Sequence, residues 1–288
     1  PAPTDVTAPP SSLAIHITPP VTYPMGAHNT GFTAGHSFLT DNDTLWSPLV
    51  ITTERAWMLR VVGIPYTPPQ YNTLWQRSKA DNTLPSWFST THLERGIAFG
   101  NTTTPTESEP RLFVASRNGG TIVKVIDATT GNDVGTLNTS TLAGGTYLIN
   151  DIDCTTDGKI IAANLVTSAL ASPFKVYMWD NEAATPVNII SYTSTDAVRL
   201  GDKITVTGDF SAGTAVIYAA SATSGIQKVY KFTMTGGVFT STPTVISLSD
   251  NQAGTPTSAS VGPLPNGDFY WKATGFKLKK YLDDGTFV

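Results

Sequence analysis

The chain has 288 residues and a net charge of −4, and charged residues make up only 14% of it, against 24 glycines and 20 prolines. Too few Glu, Lys and Arg are present for a coiled coil, and 40% hydrophobic content with so small a net charge is not that of a disordered chain. With 18 basic residues against 22 acidic ones, binding by neutralisation of a phosphate backbone is excluded, so no nucleic-acid partner is expected.

No apolar run reaches the roughly 18 residues of a membrane helix, so no membrane span is expected. The single cysteine, Cys154, excludes an intrachain disulfide and reads as a small buried hydrophobe.

In chain order, residues 1–12 (PAPTDVTAPPSS) read as a flexible leader, like the start of a mature secreted protein. Together with the low charge and the many Thr, Ser, Asn and Gly, this predicts a secreted or cell-surface location. Sequons at Asn42, Asn101 and Asn138 add little, because they arise by chance in so Thr-rich a chain. Residues 13–93 read as an irregular N-terminal β segment. It opens with the alternating strand LAIHIT (13–18) and continues through the Val-, Ile- and Thr-rich run 49–64. It ends in a Pro-rich loop that carries Tyr66, Tyr71, Trp75, Trp87 and Phe88.

From 94 to 288 the pattern turns regular, within one compact domain overall. Asp157-Gly158, Ala212-Gly213 and Asn266-Gly267 each precede an apolar strand, at intervals of 55 and 54 residues. A second ladder of strands follows at 123–127, 174–180, 228–233 and 276–283, again with turn residues behind each. A unit of about 53 residues with four short strands is the signature of a propeller blade, whose sheet buries its faces only against neighbouring blades. The predicted fold is therefore all-β, a β-propeller of four-stranded antiparallel blades. The units run 94–145, 146–199, 200–254 and 255–288, and the chain length predicts about five blades in all, with a fragment of a larger propeller as the alternative. The last unit lacks a fourth strand, so a segment from 13–64 is expected to pair with 276–288 and cover that edge.

VKVIDATTGNDVGTL (123–137) resembles the strand–turn–strand phrase of secreted bacterial propellers of the YVTN/NHL-repeat type. NDIDCTTDGKIIAAN (150–164) resembles a phrase shared by NHL repeats and gluconolactonase-like propellers. The resemblance implies the architecture, and one chemistry: Ca²⁺ or another divalent cation, held at the channel by inner-strand oxygens, that polarises an ester carbonyl. On that implication Asn150 is the transferable metal ligand, with Asp151 and Asp153 beside it. Otherwise the aspartates bond nearby backbone N–H groups and no cofactor is expected.

Propeller glycosidases draw acid and base from carboxylates on several inner strands. Of the five Glu, only Glu94 begins an inner strand, so Glu94, Asp151 and Asp209 form the candidate catalytic set. Glu94 and Arg95 read otherwise as an ion pair between blades or as a solvated edge. The histidines His16, His28, His36 and His92 show no zinc-ligand spacing, and there is no nucleophile elbow, P-loop or dinucleotide fingerprint. Tyr66, Tyr71, Trp75 and Trp87 are candidate ligand-binding residues, because aromatic faces stack on sugars or anchor protein interfaces; the plain alternative is that they fill a core. The sequence thus leans away from catalysis. It reads as a non-catalytic binding or assembly module for a carbohydrate or protein partner, or for self-assembly. A divalent-metal hydrolase or lactonase, or a glycosidase, is the alternative.

Overall fold

The computed structural model describes residues 39–41, 44–51, 56–62, 73–89, 91–103, 108–250, 254 and 256–288. They fall into two units, Pro1–Asn72 and Thr73–Val288. The predicted strand at 13–18, and with it Tyr66 and Tyr71, lies outside the described residues.

In the first unit, β1 (Leu39–Asp41), β2 (Thr44–Ile51) and β3 (Ala56–Val62) form an antiparallel meander in the order β1-β2-β3. The register of β2 on β3 shifts between Pro48 and Val50, next to a residue that has no N–H to give the ladder. The run 49–64 is thus strand where it is described.

The second unit holds four sheets in succession. The first has β4 (Glu94–Thr103), β5 (Ser108–Ser116), β6 (Ile122–Asp127) and β7 (Asp133–Thr136). The second has β8 (Tyr147–Cys154), β9 (Ile160–Leu165), β10 (Phe174–Trp179) and β11 (Val187–Tyr192). The third has β12 (Ile204–Thr207), β13 (Val216–Ala220) and β14 (Lys228–Thr235), whose outer edge is shared by β15 (Val238–Phe239) and β16 (Thr244–Ser247). The fourth has β17 (Thr257–Pro263), β18 (Phe269–Thr274) and β19 (Lys279–Tyr281). Beside β19, Phe287 bridges Tyr281 and the Val288 N–H donates to the Lys280 carbonyl at 3.1 Å, so the chain begins a fourth strand itself.

These are the blades of a propeller, four of them in this unit where the chain length alone predicted about five. No helix occurs among the described residues. The repeat read from the sequence has a backbone cause: Gly158, Gly213 and Gly267 take φ of 82°, 70° and 94°, the left-handed region their turns require.

The core lies between blades, not within them. Phe113, Val125, Ile152, Ile160, Tyr177 and Trp179 pack blade one on blade two. Val176, Leu200, Ile217, Tyr230 and Phe232 pack blade two on three, and Val229, Phe269, Trp271 and Tyr281 pack three on four. The consequence shows strand by strand. β9 (IIAANL) is buried at every position because a blade lies on each face, whereas β18 (FYWKAT) alternates buried and exposed. The segment 73–89 belongs to this unit too. The Trp75 indole N–H donates to the Ala128 carbonyl at 2.8 Å, and that of Trp87 to Asp133 at 3.1 Å.

Candidate functional site

The innermost strands β4, β8, β12 and β17 stand side by side, and β4, β8 and β12 run in one direction. Gly96 meets Asp151 and Gly100 meets Cys154, while Asp151 meets Ile204 and Asp153 meets Val206. β4, β8 and β12 therefore begin at the same end, here called the leading end.

Two means hold neighbouring inner strands together. Between β4 and β8 it is absence of bulk: a Cβ on Gly96 would lie 2.6 Å from Asp151 Oδ1 and 2.9 Å from its Cα. Between β8 and β12 it is carboxylates. Asp151 accepts from the Ile204 N–H at 2.8 Å and Asp153 from the Val206 N–H at 2.7 Å, while Asp157 accepts from those of Phe210 and Ser211 at 2.9 and 3.0 Å. The edge N–H groups of β12 and of the turn after it, which no sheet partner reaches, are satisfied by side chains from the preceding blade.

These environments move the carboxyl groups in opposite directions. Burial pushes Asp151 up to about 6, against the pull of Lys203, whose Nζ lies 2.8 Å away, and of the Ile204 N–H. Burial also raises Asp153. At Asp157 burial is outweighed by hydrogen bonds from Ser211, Thr155 and the backbone, which hold it well below the usual carboxylate range.

Positive charge converges at the leading end. Arg95 extends from the start of β4, Arg117 from the turn after β5, and Arg199 and Lys203 from the approach to β12. The Asn150 carbonyl oxygen accepts from Arg95 Nε at 3.4 Å and also from Arg117 Nη2, while its amide nitrogen donates to the Gly201 and Asp202 carbonyls at 2.8 and 3.0 Å. The Arg117 guanidinium lies 3.4 Å over the centre of the Tyr147 ring, which is 43% exposed. Arg199 is forked onto buried Asp202 at 2.7 and 2.6 Å, and Lys203 is paired with Asp151. Among the described residues no carboxylate pairs with Arg95 or Arg117. Burial, then the like charge of Arg95, lowers the Arg117 pKa.

The sequence-derived candidates are thereby dispersed. Glu94 sits at the leading end, where it accepts from the Ser89 N–H at 2.9 Å and the Ser116 hydroxyl at 3.1 Å. Asp151 is enclosed at the junction of blades two and three. Asp209 lies past the far end of β12, where it caps its own turn by accepting from the Ala212 N–H at 2.7 Å. Asn150 faces guanidinium groups, while Asp151 and Asp153 face β12, and no three His, Cys, Asp or Glu converge among the described residues. Trp75 lies over Gly131, and Trp87 lies beside Asp133 and Lys124 on the outer strands of blade one. Sequence reasoning passed over Arg117, Tyr147, Arg199 and Lys203. A signal existed: the blade repeat aligns Arg95, Asn150 and Lys203, one position before Gly96, Asp151 and Ile204.

Sheets joined through their innermost strands, with the core between successive faces, define a β-propeller. Within that class the chain belongs to the family described as a domain of unknown function, DUF8500, whose model matches residues 90–261. No curated protein matches it. Among solved structures it is similar to a DUF4623 family protein from Bacteroides eggerthii, 15% identical with a TM-score of 0.58, over 89% of this chain and 60% of that one. The chain thus spans about 60% of the length of that structure. It is also matched, at 10% identity and a TM-score of 0.40, by an α-L-arabinanase from Penicillium chrysogenum complexed with arabinobiose, over 68% of this chain and 63% of that one. An α-L-arabinofuranosidase from Fusarium graminearum, complexed with an iminosugar inhibitor, matches at 12% identity and a TM-score of 0.37 over the same shares. For the DUF4623 family protein, at 15% identity, the likeness is one of fold.

Proposed function

We propose that the protein is a secreted or cell-surface propeller that acts as a non-catalytic binding module for a carbohydrate or protein partner, with its contact surface at the leading end of the inner strands. One observation carries this reading. The acidic side chains of the inner strands are engaged by protein groups: Glu94 by Ser89 and Ser116, Asp151 by Lys203 and Ile204, Asp153 by Val206, and Asp202 by Arg199. Glycoside cleavage needs two carboxyl groups roughly 5–9.5 Å apart and open to the sugar from both sides. Here Glu94 and Asp209 stand at opposite ends of the inner strands, and the carboxylates between them hold blades together. The phrases at 123–137 and 150–164 that resemble YVTN/NHL repeats fit this reading, because in this chain they supply turn and junction chemistry. Its low charge and Thr-rich composition support the extracellular location.

The test pairs a glycan array with hydrolysis assays on a panel of aryl glycosides and lactones, using the full chain. Binding without turnover is the expected result. Turnover that disappears on replacement of Glu94 or Asp151 by the amide would overturn the proposal.

A further inference from the structure

We infer that the leading end of the inner strands is a receptor for a compact oxyanion of the carboxylate kind, gripped by Arg95 and Arg117 beside Asn150 and Tyr147; the inference rests on the binding-module reading above and names its ligand class. The chain as a whole is acidic, with a net charge of −4, yet four cationic side chains meet here. Two are neutralised locally, Arg199 by Asp202 and Lys203 by Asp151. The other two share one neutral acceptor, the Asn150 carbonyl oxygen.

Two guanidinium groups on one amide oxygen gain hydrogen bonds but leave both positive charges uncompensated. Like charges at this separation repel, and burial strengthens the repulsion. Arg117 Nε adds a further cost, since it is buried with no hydrogen-bond partner. Both costs fall once an anion lies against the pair, because the guanidinium fork matches the two oxygens of a carboxylate and forms charge-assisted hydrogen bonds. Arg117 is held in place for this by the ring of Tyr147 on one face and by Asn150 at its edge. Asn150 is fixed in turn through its amide donors to Gly201 and Asp202. The exposed part of the Tyr147 ring gives the body of such a ligand an apolar surface to rest on. Sulfate and phosphate share the oxyanion chemistry. A uronate presents it on a sugar ring.

The experiment is isothermal titration of the full chain at low salt with glucuronate, with glucose as its uncharged counterpart and inorganic sulfate and phosphate as separate arms. Glucuronate is expected to bind and glucose not, with affinity falling as salt is raised. Arg95→Gln and Arg117→Gln should each weaken binding about ten- to a hundred-fold, the range of a lost hydrogen bond to a charged group. Lys79→Gln, an exposed cation on the 73–89 segment, should leave it unchanged. Equal binding of sulfate or phosphate would show that the site reads the oxyanion alone, and tighter glucuronate binding that the ring contributes; either supports the inference. Near-ultraviolet circular dichroism checks each fold, and if Arg117→Gln unfolds, Arg95→Gln decides. The inference is overturned if no anion binds, or if binding is unchanged in the folded arginine variants. Neutral glycans bound on the array without anion binding would sink this inference and leave the binding-module reading standing. Hydrolysis would sink that reading even where the anion binds.

Discussion

The junction of blades one and two and that of blades two and three perform the same task with opposite chemistry. At the first, Gly96 lets β4 lie against the backbone of β8 at Asp151 and Ile152, and Gly100 leaves room for the Cys154 side chain. At the second, Asp151, Asp153 and Asp157 extend from blade two to unpaired N–H groups of blade three. One joint is made by removing side chains and the other by adding charged ones. Along its inner strands the first is therefore expected to respond to volume, while farther out Glu182 of blade two pairs with Arg111 of blade one at 2.9 Å. The second is expected to respond to protonation, and to volume as well where Gly201 lies against the Asn164 carbonyl.

The largest effect expected from breaking this contrast is at Gly96→Val. Its new atoms meet the Asp151 backbone, which cannot swing aside as a flexible side-chain end would. A loss of about 3 kcal/mol in urea unfolding is expected, near the top of the overpacking range. An unchanged unfolding midpoint would mean that the close approach of the two strands is not needed.

The next effect concerns pH. The folded-state pKa of Asp151 is about 6, while the unfolded value is about 3.9. Between these values the native state holds the proton that the unfolded state has lost. The contribution of Asp151 to stability is therefore complete below pH ~4 and is lost as pH rises through ~6, a change of about 2–3 kcal/mol. Asp151→Asn should flatten that part of the stability–pH curve relative to the parent. The comparison isolates Asp151 from Asp157, whose depressed pKa contributes stability in the opposite sense. Identical curves for the two proteins would assign the titration to another group.

A smaller effect is expected at Asp153. Asp153→Ala leaves the Val206 N–H without its acceptor and should cost about 1–2 kcal/mol, whereas Asp153→Asn keeps an acceptor oxygen and should cost less than half of that. Equal losses in thermal melts of the two variants would show that the carboxylate charge, and not its hydrogen bond, holds this part of the junction.

The architecture was legible because its causes are local. Turn glycines at fixed intervals and short β runs between them appear directly in the chain, and the predicted units 146–199 and 200–254 enclose β8–β11 and β12–β16. Blade number was less so. The estimate of about five divided the whole length by the repeat, whereas four sheets occupy the second unit and β1–β3 stand in a unit of their own. The site was legible only in part. Asn150, Asp151 and Asp153 stand out in the sequence as polar residues on an inner strand. Their partners Ile204, Val206 and Arg117 do not, because a backbone N–H carries no sequence signal and Arg117 lies in a turn far along the chain. The aromatic residues of 65–92 read either as a contact surface or as core filling, and in the structure Trp75 and Trp87 both donate their indole N–H to blade one. Sequence shows that a ring is present, and only packing shows which way it faces.

Cys154 gives the first junction a clock. Its thiol faces Gly100 between blades one and two, and burial pushes its pKa up to about 12. At pH ~8 roughly one molecule in ten thousand then carries the reactive thiolate. Once the blades part, the group returns to an ordinary cysteine and reacts readily. Because the thiol is part-exposed in the native state, the rate at which a small disulfide reagent captures it reports the suppressed thiolate together with the openings of this joint, with no label added to the protein.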